Sequence, residues 1–189
     1  MEIIETSLQD VRLIKTDVFG DHRGFFTESY TKDKFYEAGI THDFIQDNHS
    51  LSVEPGVLRG LHFQRPPKTQ TKLIRATTGV IYDVIVDIRE GSPTYKQWEG
   101  FILSEYNHRQ LLVPKGFAHG FVTLTPNCNV QYKVDEDYSQ EHDDGIKYDD
   151  ETFDIKWPIS GEEVILSDKD KEYVSFADFD NPFTWEENE

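Results

Sequence analysis

The 189-residue chain holds a single cysteine, Cys128, and few basic side chains: 19 Lys and Arg stand against 36 Asp and Glu, a net charge of -17. One thiol excludes an intramolecular disulfide and every all-cysteine metal centre. The acidic excess disfavours a general nucleic-acid or anionic-membrane binder, because phosphate backbones attract positive fields. No apolar run approaches the roughly 18 residues of a membrane helix. The opening "MEIIETSLQD" lacks the basic and apolar regions of a signal peptide. Internal repeats, low-complexity tracts and a glycine-rich phosphate loop are missing as well. A soluble, cytoplasmic protein is expected. With 37% apolar and 13% aromatic residues, this length suits one hydrophobic core and a single domain over 1–189.

What is present is strand signal at short intervals: "VRLIK", "VLRGLHF", "KLIRAT", "VIYDVIVDI", "GFILS", "RQLLVP", "HGFVTL" and "VQYKV". These runs are rich in branched and aromatic residues and are separated by Gly, Pro, Asn or Asp turns. Many short strands without intervening helices predict an all-β sandwich or barrel. The one early helix is "TKDKFYEAGI", where Thr31 can cap the first turn, Phe35 and Ala38 share a face, and Gly39 supplies a stop. The acidic stretch from Asp135 to Asp154 is punctuated by Tyr138, Ile146, Tyr148 and Phe153, so it reads as an ordered cover. The tail "FTWEENE" is expected to fray.

Positive charge is scarce yet gathers in "GVLRGLHFQRPPKTQTKLI", residues 56–74. Strand alternation there sends successive side chains to opposite faces, so part of that charge is expected to line a pocket. Gly56 precedes His62 by six residues with Gly79 downstream, and Pro114-x-Gly116-x-x-His119 follows. These spacings resemble the two cupin motifs, the signature of a jelly-roll barrel that binds ligand at one end. Gln64 stands where the first motif has its second histidine, and 66–72 contains no acidic residue. Metal centres usually have at least three protein ligands, so no metal is expected.

Six blocks in order, "FGDHRGFFTESY", "FIQDNHS", "GVLRGLHFQ", "VIYDVIVDIREGSPTYKQWEG", "RQLLVPKGFAHGFVTL" and "LSDKD", resemble the dTDP-4-dehydrorhamnose 3,5-epimerase family over most of the chain. The resemblance implies a metal-free cupin double-stranded β-helix with a few short peripheral helices and no cofactor. It implies a homodimer in which the N-terminal segment contributes to the interface and serves the neighbour's pocket. The substrate would be dTDP-4-dehydro-6-deoxy-D-glucose, inverted at carbons 3 and 5. Both carbons flank the carbon 4 ketone, so a base can take either proton and leave an enolate.

By the same resemblance His62 is the base, paired with Asp170; Lys72 stabilises the enolate and Tyr132 returns a proton from the opposite face. His119 matches a sugar-end position and Arg59 a sugar and phosphate contact, and Arg23, Gln46 and Asn48 match the diphosphate contacts, where a guanidinium suits phosphate oxygens. Phe26 and Glu28 match the thymine end, with Tyr138 stacking near the nucleotide. Taken singly these residues have plain readings: Lys72 exposed on a strand, Asp170 a loop carboxylate, Arg23 a turn residue, Phe26 and Tyr132 core. Three alternatives stay open. They are a single-carbon epimerase, a ketoisomerase on the same nucleotide sugar, and a noncatalytic nucleotide-sugar-binding cupin.

Overall fold

The computed structural model describes residues 1–159 and 164–186. Thirteen strands carry it: β1 (Glu2–Glu5), β2 (Arg12–Lys15), β3 (Val18–Asp21), β4 (Gly24–Thr27), β5 (Gln46–Ser52), β6 (Leu58–Gln64) and β7 (Lys72–Thr78), then β8 (Val80–Asp87), β9 (Trp98–Ser104), β10 (Arg109–Val113), β11 (Phe117–Thr123), β12 (Cys128–Val134) and β13 (Asp143–Gly145). Helices α1 (Lys32–Glu37) and α2 (Asp168–Glu172) are short and peripheral. A six-stranded sheet, in the order β1-β2-β10-β7-β12-β5, faces a five-stranded sheet, β13-β6-β11-β8-β9. This is the all-β sandwich that the strand pattern predicted, in the jelly-roll form that the resemblance implied. Every one of the eight runs read as strands forms one.

Alternation along the strands builds three apolar layers. Ile74, Leu111, Val113 and Val130 of the six-stranded sheet meet Ile81, Ile85, Phe117 and Phe121 of the five-stranded sheet to form the inner core. Outside the five-stranded sheet, Leu61, Phe63, Val84 and Val86 are covered by Ile146, Phe153, Phe176 and Phe183. Fully burying such a side chain is worth about 1.5–3 kcal/mol, which explains why an acidic, turn-rich stretch stays packed on the sheet. Outside the six-stranded sheet, Ile14, Leu73 and Leu112 are covered by Phe35 and Ile40.

Several local expectations need correction. Thr31 is the residue before α1, but its side chain makes no capping hydrogen bond. Ala38 is exposed, and Ile40 shares the buried face with Phe35. Gly39, at φ +82, ends the helix as expected. The tail is not free from residue 183 onward, because Phe183 is 5% exposed and Thr184 bridges Glu90. Residues 187–189 of that predicted tail lie outside the described residues.

β6 and β11, which carry the two motif histidines, approach closely. A Cβ at Gly60, whose φ is +138, would lie 2.4 Å from the Gly120 Cα. Glycine at this position is therefore a packing requirement. The register pairs His62 with His119, and a bulge lies between His119 and Phe121.

Candidate active site

β6 turns His62 and Gln64 toward the interior between the sheets, in step with the period-2 pattern of the strand. His62 Nε2 is hydrogen-bonded to Asp170 Oδ1. A carboxylate only accepts, so the proton of this bond lies on Nε2, and in the neutral ring the lone pair is on Nδ1. Asp170 sits in α2 and is 4% exposed. Its Oδ2 accepts from Ser167 Oγ (2.7 Å), and its amide donates back to that oxygen (3.1 Å), so Ser167 caps the helix and aims the carboxylate together. Burial alone would push the Asp170 carboxyl up. His62, Ser167 and the Gly60 amide outweigh burial and hold it below the usual carboxylate range.

His119 forms a second imidazole–carboxylate pair, its Nε2 3.0 Å from both oxygens of Asp83. Asp83 is fully buried in β8, two residues from the direct cross-strand neighbour of His119. Burial, reinforced by the nearby Lys72 and His62, pushes the His119 imidazole below its ordinary pKa against the pull of Asp83.

The six-stranded sheet supplies the facing wall. Lys72 opens β7, and its ammonium is pushed down to about 8 by desolvation, against the opposing influence of Asp143 and Asp83. It remains mostly protonated at neutral pH. Tyr132, on β12, packs its ring on the inner core as the alternation with Val130 and Val134 predicted. Burial raises its phenol pKa and Arg59 opposes that rise. Among the described residues neither Lys72 Nζ nor the Tyr132 hydroxyl has a protein hydrogen-bond partner.

A cleft of about 170 Å³ joins these groups, lined by Asn48, His62, Gln64, Lys72, Tyr132, Tyr138 and Asp143 with Phe63 and Gln70. Gln46 bridges its rim, donating to Asn48 Oδ1 (2.8 Å) and accepting from the Tyr138 amide (3.2 Å). The Tyr138 hydroxyl donates to Asp143 (3.0 Å), which also takes the Lys169 ammonium. Arg59 reaches Ser52 Oγ (3.3 Å) beside this wall. A larger hollow of about 220 Å³ lies around Arg75, Gln110 and Gln131, and shares only Asn48 and Tyr132 with the cleft. Neither carboxylate-paired histidine lines it, so the chemistry belongs to the smaller one.

The structure thus brings His62, Asp170, Lys72, Tyr132, His119, Gln46, Asn48, Arg59 and Tyr138 into one neighbourhood. It does not bring Arg23, Phe26 and Glu28 there. Arg23, at the tip of the β3–β4 hairpin, is held by Asp21 (2.5 Å). Phe26 is 64% exposed, and Glu28 pairs with Lys34. Sequence reasoning missed Asp83, Asp143, Ser167 and Lys169. For Asp83 a signal existed, since one carboxylate interrupts the apolar run "VIYDVIVDI"; buried carboxylates are almost always paired. Among the described residues no cluster of three or more His, Cys, Asp or Glu is arranged to hold a metal ion.

A family model described as dTDP-4-dehydrorhamnose 3,5-epimerase matches residues 5–178. A protein of that description from Shigella flexneri is 46% identical over 181 residues, covering 95% of this chain and 98% of the relative. A solved dTDP-4-dehydrorhamnose 3,5-epimerase from Bacillus anthracis, with TDP and PPi bound, is 57% identical with a TM-score of 0.88, over 91% of this chain and 97% of that one. A solved dTDP-6-deoxy-D-glucose-3,5-epimerase from Legionella pneumophila, in complex with dTDP-4-keto-L-rhamnose, is 43% identical with a TM-score of 0.93, over 98% of both chains.

Proposed function

The chain belongs to the dTDP-4-dehydrorhamnose 3,5-epimerase family, and from that premise we infer that it converts dTDP-4-dehydro-6-deoxy-D-glucose to dTDP-4-dehydro-L-rhamnose. One observation carries the mechanism: a carboxylate-held imidazole and a phenol hang from opposite sheets across one cleft. A sugar ring between them meets a base on one face and an acid on the other, as inversion requires.

In this reading the carbon 4 ketone acidifies the hydrogens on carbons 3 and 5. His62 Nδ1 takes one of them, and the electron pair of the broken C–H bond moves onto the ketone oxygen as an enolate. The Lys72 ammonium faces that oxygen, and a fixed charge in a desolvated cleft stabilises the new anion without reorganising. Asp170 stabilises the imidazolium through the Nε2 hydrogen bond. Tyr132 then gives its proton to carbon from the other face, and His62 and the phenolate return to their starting states by exchange with solvent. The same steps at the second carbon complete the reaction. Every group these steps invoke is a side chain of the protein, so the reading calls on no metal or other cofactor.

The remaining assignments follow from the cleft rim. Arg59, Gln46 and Asn48 bind the diphosphate and sugar, His119 contacts the sugar, and Tyr138 stacks on the nucleotide. Arg23, Phe26 and Glu28 serve the cleft of a second copy in a homodimer. That arrangement is supported by their distance from this chain's own cleft and by Phe19, Phe25 and Phe26, each more than 60% exposed on the hairpin. Light scattering at working concentration is expected to give twice the chain mass, and a monomer would remove the assignment. No helix of the described residues is long and apolar enough to cross a membrane.

Incubation with the keto sugar in deuterium oxide tests the reaction. Label at carbons 3 and 5 of an inverted product is expected. Label at one carbon alone makes the enzyme a single-carbon epimerase, and binding without exchange makes it a binding module.

A further inference from the structure

Gln64 has no part in the proton transfers, yet it is 4% exposed and shares the inward face of β6 with His62. It occupies the position at which the cupin pattern has a metal-binding histidine. Its carboxamide is fully engaged with main chain. Nε2 donates to the carbonyls of Lys68 (2.6 Å) and Asp137 (3.2 Å), and Oε1 accepts from the Ser139 amide (2.7 Å). Asp137 and Ser139 flank Tyr138, whose own amide donates to Gln46 Oε1. The backbone is therefore fastened on both sides of a residue whose ring is 57% exposed at the cleft.

We propose that Gln64 is a positioning residue for nucleotide binding, a clasp that fixes Tyr138 over the cleft before the nucleotide arrives. This rests on the reading of Tyr138 as the stacking residue. Glutamine suits the task because one planar group offers two donors and an acceptor. Glutamate would face two carbonyl oxygens with acceptors only, and leucine satisfies none of the three partners. Holding the segment in advance removes an ordering cost from binding, so the clasp acts on affinity. Among the described residues Gln64 makes no hydrogen bond to His62, Asp170, Lys72 or Tyr132, so the proton transfers do not pass through it.

The test compares wild type with Gln64→Glu and Gln64→Leu in three measurements: dTDP affinity by calorimetry, kcat at saturating keto sugar, and amide hydrogen exchange over 136–139. The expected result is dTDP affinity weaker by roughly tenfold, the scale of one lost buried hydrogen bond. Amides over 136–139 should exchange faster in both variants, the Ser139 amide most of all in Gln64→Leu, which removes its acceptor, with kcat near the wild-type value. Gln64→Glu keeps the volume and the Ser139 acceptor, so it gives a reading even where Gln64→Leu does not fold. Unchanged exchange over 136–139, or a fall in kcat with dTDP affinity unchanged, would overturn the clasp. Tyr138→Ala in the same calorimeter separates the premise: unaltered dTDP affinity there sinks the stacking role, whatever the Gln64 variants do.

Discussion

The two walls of the cleft are built on opposite principles. On the five-stranded sheet each histidine has a buried carboxylate: Asp170 for His62 and Asp83 for His119. On the six-stranded sheet Lys72 and Tyr132 face the cleft with no protein partner among the described residues. The first wall fixes orientation, because an imidazole must present one chosen nitrogen. The second wall keeps its donors available, because in the proposed reaction ammonium and phenol both act on a substrate oxygen or carbon that the protein does not supply. Desolvation without pairing shows in both groups: the ammonium is lowered to about 8, and the phenol is raised.

The hardest blow to this contrast is to remove one member of each wall. His62→Ala deletes the proposed base and, if no other group replaces it, is expected to lower deuterium exchange at both carbons by about 10²–10⁴-fold. Tyr132→Phe leaves the base wall intact, so exchange should persist while inversion falls by a similar factor. Both quantities are read in one sample by product stereochemistry and isotope position. Near-normal inversion by Tyr132→Phe would make that residue a packing tyrosine, and substantial exchange by His62→Ala would mean a different base.

A smaller effect separates the walls by pH. In the proposed role Lys72 would stabilise the enolate only when protonated, and its lowered pKa places the loss near pH 8. The rate should fall about tenfold for each pH unit above that value. Lys72→Arg, whose guanidinium stays charged, should be slower at neutral pH but flat through this range. A wild-type profile level to pH 10 would detach Lys72 from the chemistry.

Aiming is expected to matter less than presence. Ser167→Ala removes one hydrogen bond to the Asp170 carboxylate and leaves the other oxygen on His62, so a loss of roughly tenfold in kcat is expected, with Ser167→Thr restoring most of it. The smallest expected effect is none: a chelator should leave turnover intact, because no step of the proposed reaction calls on a metal. Activity lost to chelator and restored by one divalent ion would replace this account of the cleft.

The base wall was more legible in the sequence than its surroundings. His62 and His119 lie in strands whose apolar periodicity is strong, and glycine punctuation fixes their spacing. β5 has no such signal. Gln46, Asn48 and Ser50 share the less exposed face, where an ordinary strand would put apolar residues, so the segment looks like a loop. The β3–β4 hairpin was hidden for the opposite reason, since its residues are exposed on both faces and no polar–apolar alternation marks it. Asp143 escaped because an acidic run offers no way to tell which carboxylate is turned inward. Distant pairing such as Asp170 to His62 has no local signal at all; family resemblance supplied it, and the geometry agrees.

That pairing also says when the protein becomes competent during its own synthesis. His62 and Asp170 are 108 residues apart in the chain. The last strand of the six-stranded sheet ends at Val134, well before the helix that carries Asp170. A ribosome adding about 5–20 residues per second therefore releases both walls of the cleft seconds before it releases the partner of the base. Phe176 and Phe183, which cover the outer face of the five-stranded sheet, emerge later still. Base and cover thus mature together, after both walls of the cleft have been made, and a chain cut short after β13 would lack both the carboxylate that aims the imidazole and the aromatic cover of the outer sheet face.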